Sequence, residues 1–269
     1  LFLFSFFMLY HFEKQGVPIF SKYGLNGINM EGKEMRFGLI ASILFTDITT
    51  SFTTGSVNNM HDSLTPIGGM MPLWNMMLNC IFGGKGVGFM NILMYMMFGV
   101  FLCGLMVGRT PEFFGKKLEA KEMQIITFLI LIHPIIILVP SAISLINDLG
   151  ISGITNSGFH GISQVLYEYT SSAANNGSGF EGLGDGTAFW NIMTGIVMLL
   201  GRYISMILML MVGYSLYKKQ AVPVNASTFK TDNLTFSFIL FFIILIIGAL
   251  TFLPALALGP IAEHLSIWG

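Results

Sequence analysis

The sequence predicts an all-α membrane protein that crosses the bilayer several times. Hydrophobic residues make up 54% of its 269 residues and charged residues only 10%, where a soluble domain carries about 25% charge. Mean hydropathy is +0.73. The few charges also cluster, and the stretches between them reach or exceed the roughly 20 residues a helix needs to cross a hydrocarbon core. A net charge of −1 with no basic block excludes a nucleic-acid-binding or disordered chain. Cys80 and Cys103 provide neither a disulfide framework nor metal-ligand spacing.

Residues 1–12 are apolar and read as the end of a span. With no basic segment ahead of them a cleavable signal is not expected, and we expect the later part of a longer polypeptide. Residues 37–51 are apolar but too short to cross, and they run into Thr53, Thr54, Gly55 and Ser56. A short helix over 37–52 that enters the membrane partway, then a turn at 53–57, fits this pattern. Such irregular backbone is tolerated only where protein buries it or a water-filled cavity adjoins it. Residues 63–84 and 86–108 are uncharged, with Lys85 alone between them. Gly83, Gly84, Gly86 and Gly88 flank that lysine, which reads as a break in one long helix over 63–108, or as a plain turn between two spans. The spacing is wrong for a phosphate-binding loop.

Residues 123–147 form the next uncharged span. A second short helix is expected over 160–174, with Asn175, Asn176, Gly177 and Ser178 in a turn over 175–179. Residues 187–217 form a span interrupted only by Arg202, a charge that must be paired, snorkelling or functional. A last span covers 236–262. The basic residues Arg109, Lys116, Lys117 and Lys121, and then Lys218, Lys219 and Lys230, mark two cytoplasmic linkers, while 146–186 has no Lys or Arg and reads as external. Both short helices then enter from outside. Lys14, Lys22, Lys33 and Arg36 run against this bias.

The order span, short helix, glycine turn, span thus occurs twice, over 1–122 and 123–219, with 220–269 as a linker and final span. Short helices entering from one side bring backbone carbonyls and negative helix ends to a common axis, where they can replace the water shell of a cation. Gly55 and Gly177 sit where unusual backbone angles are needed. His61 and Asp62 follow the first turn closely and read as a brace for it, since no nucleophile is organised around them. His133, before Pro134, is expected to be satisfied by neighbouring backbone.

Several motifs resemble those of the potassium-importing ATPase A subunit family. They are Asn29-Met30-Glu31-Gly32-Lys33-Glu34 with Arg36-Phe37-Gly38, Met60-His61-Asp62-Ser63 with Gly68-Gly69-Met70, and Gly104-Leu105-Met106-Val107-Gly108-Arg109-Thr110-Pro111-Glu112 with Gly115-Lys116-Lys117. Ser171-Ser172-Ala173-Ala174-Asn175-Asn176-Gly177-Ser178, Ala249-Leu250-Thr251-Phe252 and Leu258-Gly259-Pro260 complete the set, which keeps its order along nearly the whole chain.

The resemblance implies four repeats of potassium-channel type, of which this chain holds the third and fourth. It carries the selectivity filter onto Thr53, Thr54, Gly55 and Ser56 and onto Asn175, Asn176, Gly177 and Ser178, with K⁺ as the only metal. It makes Gly83, Gly84, Lys85, Gly86 and Gly88 a gate loop, and gives Arg202 and Arg109 matching arginines near the ion path. It also implies a bacterial plasma-membrane complex. The partners there are the missing N-terminal half, a P-type ATPase subunit that hydrolyses ATP, two small subunits and membrane lipid. No covalent cofactor and no nucleic acid are implied. The chain departs from the family near Leu78-Asn79-Cys80, where many members carry an acidic residue.

The expected function is the K⁺-binding and translocating part of an ATP-driven importer. This chain has no Asp-Lys-Thr-Gly phosphorylation motif and no Walker A motif. The alternatives are a stand-alone channel or symporter related to Trk and Ktr transporters, and a truncated scaffold that does not conduct.

Overall fold

A computed structural model describes residues 1–18, 24, 27–84, 86–221 and 231–269. Lys22, Lys85 and Lys230 lie outside the described residues. The described chain is almost wholly helical: α1 (Phe2–Gln15), α2 (Gly38–Ser51), α3 (Pro66–Leu78), α4 (Val87–Val107), α5 (Ala120–Ile146), α6 (Asp148–Ile151), α7 (Phe159–Ala174), α8 (Ala188–Tyr217), α9 (Leu234–Leu256) and α10 (Ala262–Trp268). A 3-10 turn at His61–Ser63 follows α2, and a π turn at Ala257–Ile261 joins α9 to α10. By length and composition, Val87–Val107, Ala120–Ile146, Ala188–Tyr217 and Leu234–Trp268 can each cross a membrane. The chain is therefore an all-α, multi-spanning membrane protein.

The ends of these helices follow from local chemistry. Pro66 opens α3 at its first turn, where its missing N–H costs nothing. Glu119 and Glu122 form a reciprocal capping box at the start of α5. Asn233 Oδ1 accepts from the Phe236 N–H at 2.7 Å and starts α9. Prolines also lie inside helices, at Pro72, Pro134, Pro140 and Pro254, as helices packed within a membrane tolerate.

Two features refine the sequence reading. The linker after α4 is a small hairpin, with β1 (Glu112–Phe113) antiparallel to β2 (Lys116–Lys117). It is held to the segment just after α8, where Lys219 Nζ donates to the Lys117 carbonyl at 2.9 Å and Lys116 Nζ donates to the Lys219 carbonyl. Lys219 also meets Glu122 at 2.6 Å and Glu119 at 3.0 Å at the start of α5. The last span is longer than the expected 236–262: it runs over Leu234–Trp268, because the π turn leads without a break into α10.

Helix α7 sits at the centre of the main core. Val165, Tyr167 and Tyr169 are fully buried against Leu73 and Met76 of α3, Ile137 of α5, Trp190 of α8 and Leu256 of α9. A second cluster joins α4, α5 and α9 through Val100, Ile126 and Ile244. The basic residues that run against the orientation bias include two that are paired. Lys33 Nζ meets Glu13 at 2.7 Å with both side chains fully buried, and Arg36 meets Glu34 at 3.0 Å on the surface.

Candidate functional site

The two glycine turns follow the same backbone path. Helix α2 ends at Ser51, Thr53 takes a left-handed φ of 48°, and the Thr54 N–H returns to the Thr49 carbonyl at 3.0 Å. Helix α7 ends at Ala174, Asn175 takes φ 54°, and the Asn176 N–H returns to the Ser171 carbonyl at 2.9 Å. Gly55 and Gly177 then follow with φ of 80° and 108°. The match assigns Thr53 to Asn175, Thr54 to Asn176, Gly55 to Gly177 and Ser56 to Ser178. Left-handed angles cost an ordinary residue about 1–2 kcal/mol, and Asn accepts them more readily than Thr.

The turns also meet. The Gly55 N–H donates to Asn176 Oδ1 at 3.0 Å, across 121 residues of sequence. A Cβ on Gly55 would collide with the Asn176 carbonyl oxygen, whereas a Cβ on Gly177 would meet only Gly55 Cα at 3.8 Å. Thr54, Ser56 and Gly177 are exposed, so the paired turns open to one side. Both α2 and α7 present their C-terminal ends to this place, and helix C-termini carry partial negative charge. Backbone carbonyls at negative helix ends, beside an open face, suit a weakly hydrated monovalent cation. Among the described residues no group of three His, Cys, Asp or Glu side chains could hold a metal ion.

The glycine-rich break between α3 and α4 lies against the first turn. The Gly83 N–H donates to the Ser51 carbonyl at 2.8 Å, and Gly84 packs on the Thr53 hydroxyl. Gly83 (φ 67°) and Gly88 come so close that neither has room for a side chain. Gly86 (φ 81°) starts α4 from the exposed side. Asn79, left-handed at φ 45°, ends α3, and its carbonyl accepts from Asn91 Nδ2 at 2.7 Å.

Arg202 is half-buried on α8, next to Gly201. Gly201, its neighbour, lets α8 run directly against the Ala173 carbonyl at the end of α7. No carboxylate among the described residues pairs with it. Arg109 lies elsewhere: it is exposed just beyond α4, with its N–H on the Gly104 carbonyl at 2.8 Å, beside the basic hairpin.

His61 and Asp62 brace the segment after the first turn. Asp62 accepts from Gln164 and His160 at 3.0 Å each and from Asn156 at 3.2 Å. The other ring nitrogen of His160 meets Glu263 at 2.8 Å. Burial opposes a charge on His160, but the two carboxylates outweigh it and lift its pKa to about 9. Glu181, just after the second turn, accepts from the His61 N–H at 2.8 Å. His133 meets the Met76 carbonyl at 3.4 Å.

Two carboxylates went unnoticed in the sequence. Glu13 accepts from Thr65 N–H and Oγ1, Asn29 and Lys33, at 2.6–2.8 Å. Asp47, on α2, accepts from Asn75 Nδ2 at 2.8 Å and from the Ser5 hydroxyl. A charge inside an apolar run is the signal that could have found Asp47, since membrane carboxylates require partners.

The family model for KdpA, described as potassium-transporting ATPase A subunit, matches residues 1–265. A relative from Geobacillus kaustophilus is 64% identical over 262 residues, covering 97% of this chain and 47% of its own length. One from Clostridium acetobutylicum is 61% identical over 257 residues, covering 95% and 46%. Both bear the name potassium-transporting ATPase potassium-binding subunit. The chain spans about half the length of these curated relatives.

Proposed function

Because the chain belongs to the family of potassium-transporting ATPase A subunits, we propose that it supplies two of the backbone turns that bind and select K⁺ in an ATP-driven importer. The observation that supports this most is the meeting of the Gly55 and Gly177 turns at the C-terminal ends of α2 and α7. Carbonyl oxygens of residues 53–56 and 175–178 take over part of the ion's water shell, and the helix ends favour its positive charge. The remaining oxygens come from the other half of the family's length, folded as two further repeats around the same axis.

The glycine loop at 83–88 acts as the gate under this filter. Its backbone tether to Ser51 couples it to the first turn. Arg202, on α8 beside Gly201, repels or times the ion on its way through. Arg109 anchors the cytoplasmic end of α4. Energy comes from a separate P-type ATPase subunit, with two small subunits completing a complex in the bacterial plasma membrane.

The test is Gly177→Asp in the full-length subunit, purified with its complex. Binding of K⁺ by calorimetry and K⁺-stimulated ATP hydrolysis are both expected to be lost while the complex stays assembled. Unchanged high-affinity K⁺ binding overturns the reading. Flux in vesicles with and without ATP separates a pumped path from a freely conducting one.

A further inference from the structure

A chain of buried hydrogen bonds runs away from the contact between the two turns. Asn176 Oδ1 accepts from the Gly55 N–H at 3.0 Å. That fixes the orientation of the Asn176 amide, because a backbone N–H requires an oxygen. Its NH₂ then donates to Ser178 Oγ at 2.6 Å. Ser178 Oγ meets the Tyr167 hydroxyl at 2.9 Å, and that hydroxyl meets His61 Nδ1 at 2.8 Å. His61 lies in the segment just after the first turn, so the chain leaves the first turn at Gly55 and returns six residues later. On its way it crosses the second turn and the middle of α7.

Every side chain in this loop is sealed from water: Tyr167 and His61 are 0% exposed, Ser178 4% and Asn176 6%. Burial, aided by Lys33, pushes His61 down to about 4, so its imidazole is neutral at pH 7 and adds no charge beside the turns. His61 Nε2 is buried with no partner among the described residues, so the hydrogen bond of the ring is the one at Nδ1. Phe180 stacks on Tyr167 at 4.3 Å between ring centroids and locks the phenol ring in place.

We propose that Tyr167 and His61 are positioning residues that hold the Asn176 side chain as a cross-brace between the two turns, and that this brace sets the spacing on which ion discrimination depends. The proposal rests on the cation-binding reading of the turns. Neither Tyr167 nor His61 touches the ion. They act through Ser178 and Asn176 on the Gly55 amide, whose rotation aims the adjoining carbonyl. Networked buried bonds reinforce one another, so loss of one end loosens the other.

The experiment uses the full-length subunit in its assembled complex, with K⁺ and Rb⁺ as probes. Tyr167→Phe removes one hydroxyl and leaves the ring packing in place. Tyr169→Phe is the control: it removes an equally buried hydroxyl whose partner is Ser144 Oγ at 2.6 Å, away from the turns. Tyr167→Phe is expected to shift the K⁺/Rb⁺ affinity ratio about threefold to tenfold, the range set by one buried hydrogen bond. Its thermal unfolding should match that of Tyr169→Phe, which keeps the wild-type ratio. His61→Asn retains a polar partner and should shift the ratio less than His61→Leu.

An unchanged ratio in Tyr167→Phe overturns the proposal. So does an equal shift in Tyr169→Phe, which would mark a general packing effect. If Tyr167→Phe fails to assemble, the His61 pair decides by the same ratio. Gly177→Asp in the same assay tests the underlying reading separately. If it abolishes binding while Tyr167→Phe changes nothing, the reading stands and only the brace falls.

Discussion

Around Gly55 the supporting helix α2 leaves Ile40, Leu44, Phe45 and Ile48 exposed on one face. Its buried face combines polar groups, with Asp47 bonded to Ser5 and Asn75 and Thr46 bonded to Asn59 at 2.8 Å, and Leu39 and Ile43 packed with Leu9 and Met71. Around Gly177 the supporting helix α7 is buried along most of its length, and aromatic rings surround it: Trp190 stacks on Tyr169 at 5.5 Å and Phe180 on Tyr167. Yet the two turns share one left-handed residue, one returning N–H and one glycine at matching places. The backbone ending of the helix defines the turn, and either polar or aromatic scaffolding can hold it there. Residue identity between the two stretches is correspondingly low, while hydrogen-bond pattern and φ angles coincide.

This contrast can be broken most severely on the polar side. Lys33→Met leaves Glu13 buried and charged with its cation gone, and losing one partner of a buried pair costs about 3–5 kcal/mol. The variant should unfold at markedly lower temperature in detergent, by intrinsic fluorescence, and a wild-type melting curve would refute the structural role of the pair.

The glycines themselves sharpen the comparison. Alanine at either position bears the left-handed penalty of about 1–2 kcal/mol, but only Gly55→Ala also drives a Cβ into the Asn176 carbonyl. Gly55→Ala should therefore weaken K⁺ binding more than Gly177→Ala does, by tenfold or more on the scale of about 1.4 kcal/mol per decade. Calorimetric titration of both variants reads the order directly, and the reverse order would disprove the steric account.

A smaller effect concerns His160, which ties the segment after the first turn to α7 and α10. Its folded pKa, raised to about 9 from 6.5, means that its bridging charge stabilises the fold fully below about pH 6.5. That contribution is lost as the pH rises through about 9. Thermal stability should decline over this window in the wild type, and the decline should flatten in His160→Gln. The smallest effect is expected at Arg36→Ala. Its pair with Glu34 is exposed, and such pairs contribute little. A large loss of stability there would contradict the distinction drawn between buried and surface lysines and arginines near the first turn.

Much of the helical frame is legible in the sequence, since charge-poor runs mark the membrane-length helices and small polar residues with glycine mark where the short ones stop, although the uncharged run 63–84 folds as the 13-residue α3 and not as a span. The side-chain contacts are not. Gly55 and Asn176 are 121 residues apart, and no local pattern announces that one side chain will receive the other's amide. Tyr167 looks like one more apolar-face residue until its hydroxyl is seen between Ser178 and His61. Glu13 and Lys33 read as ordinary flanking charges, because pairing between positions 20 residues apart has no periodic signature. Asp47 is the exception, a lone carboxylate in an apolar run that advertises its own need for partners.

The bond between Gly83 and Ser51 joins main chain to main chain. Such a link is blind to chemistry at neighbouring positions, so drift among the surrounding loop residues leaves the interhelical break fastened to the end of α2. Only a proline at position 83 would delete the donor outright. A mechanical linkage of this kind can persist through long divergence while the side chains beside it turn over.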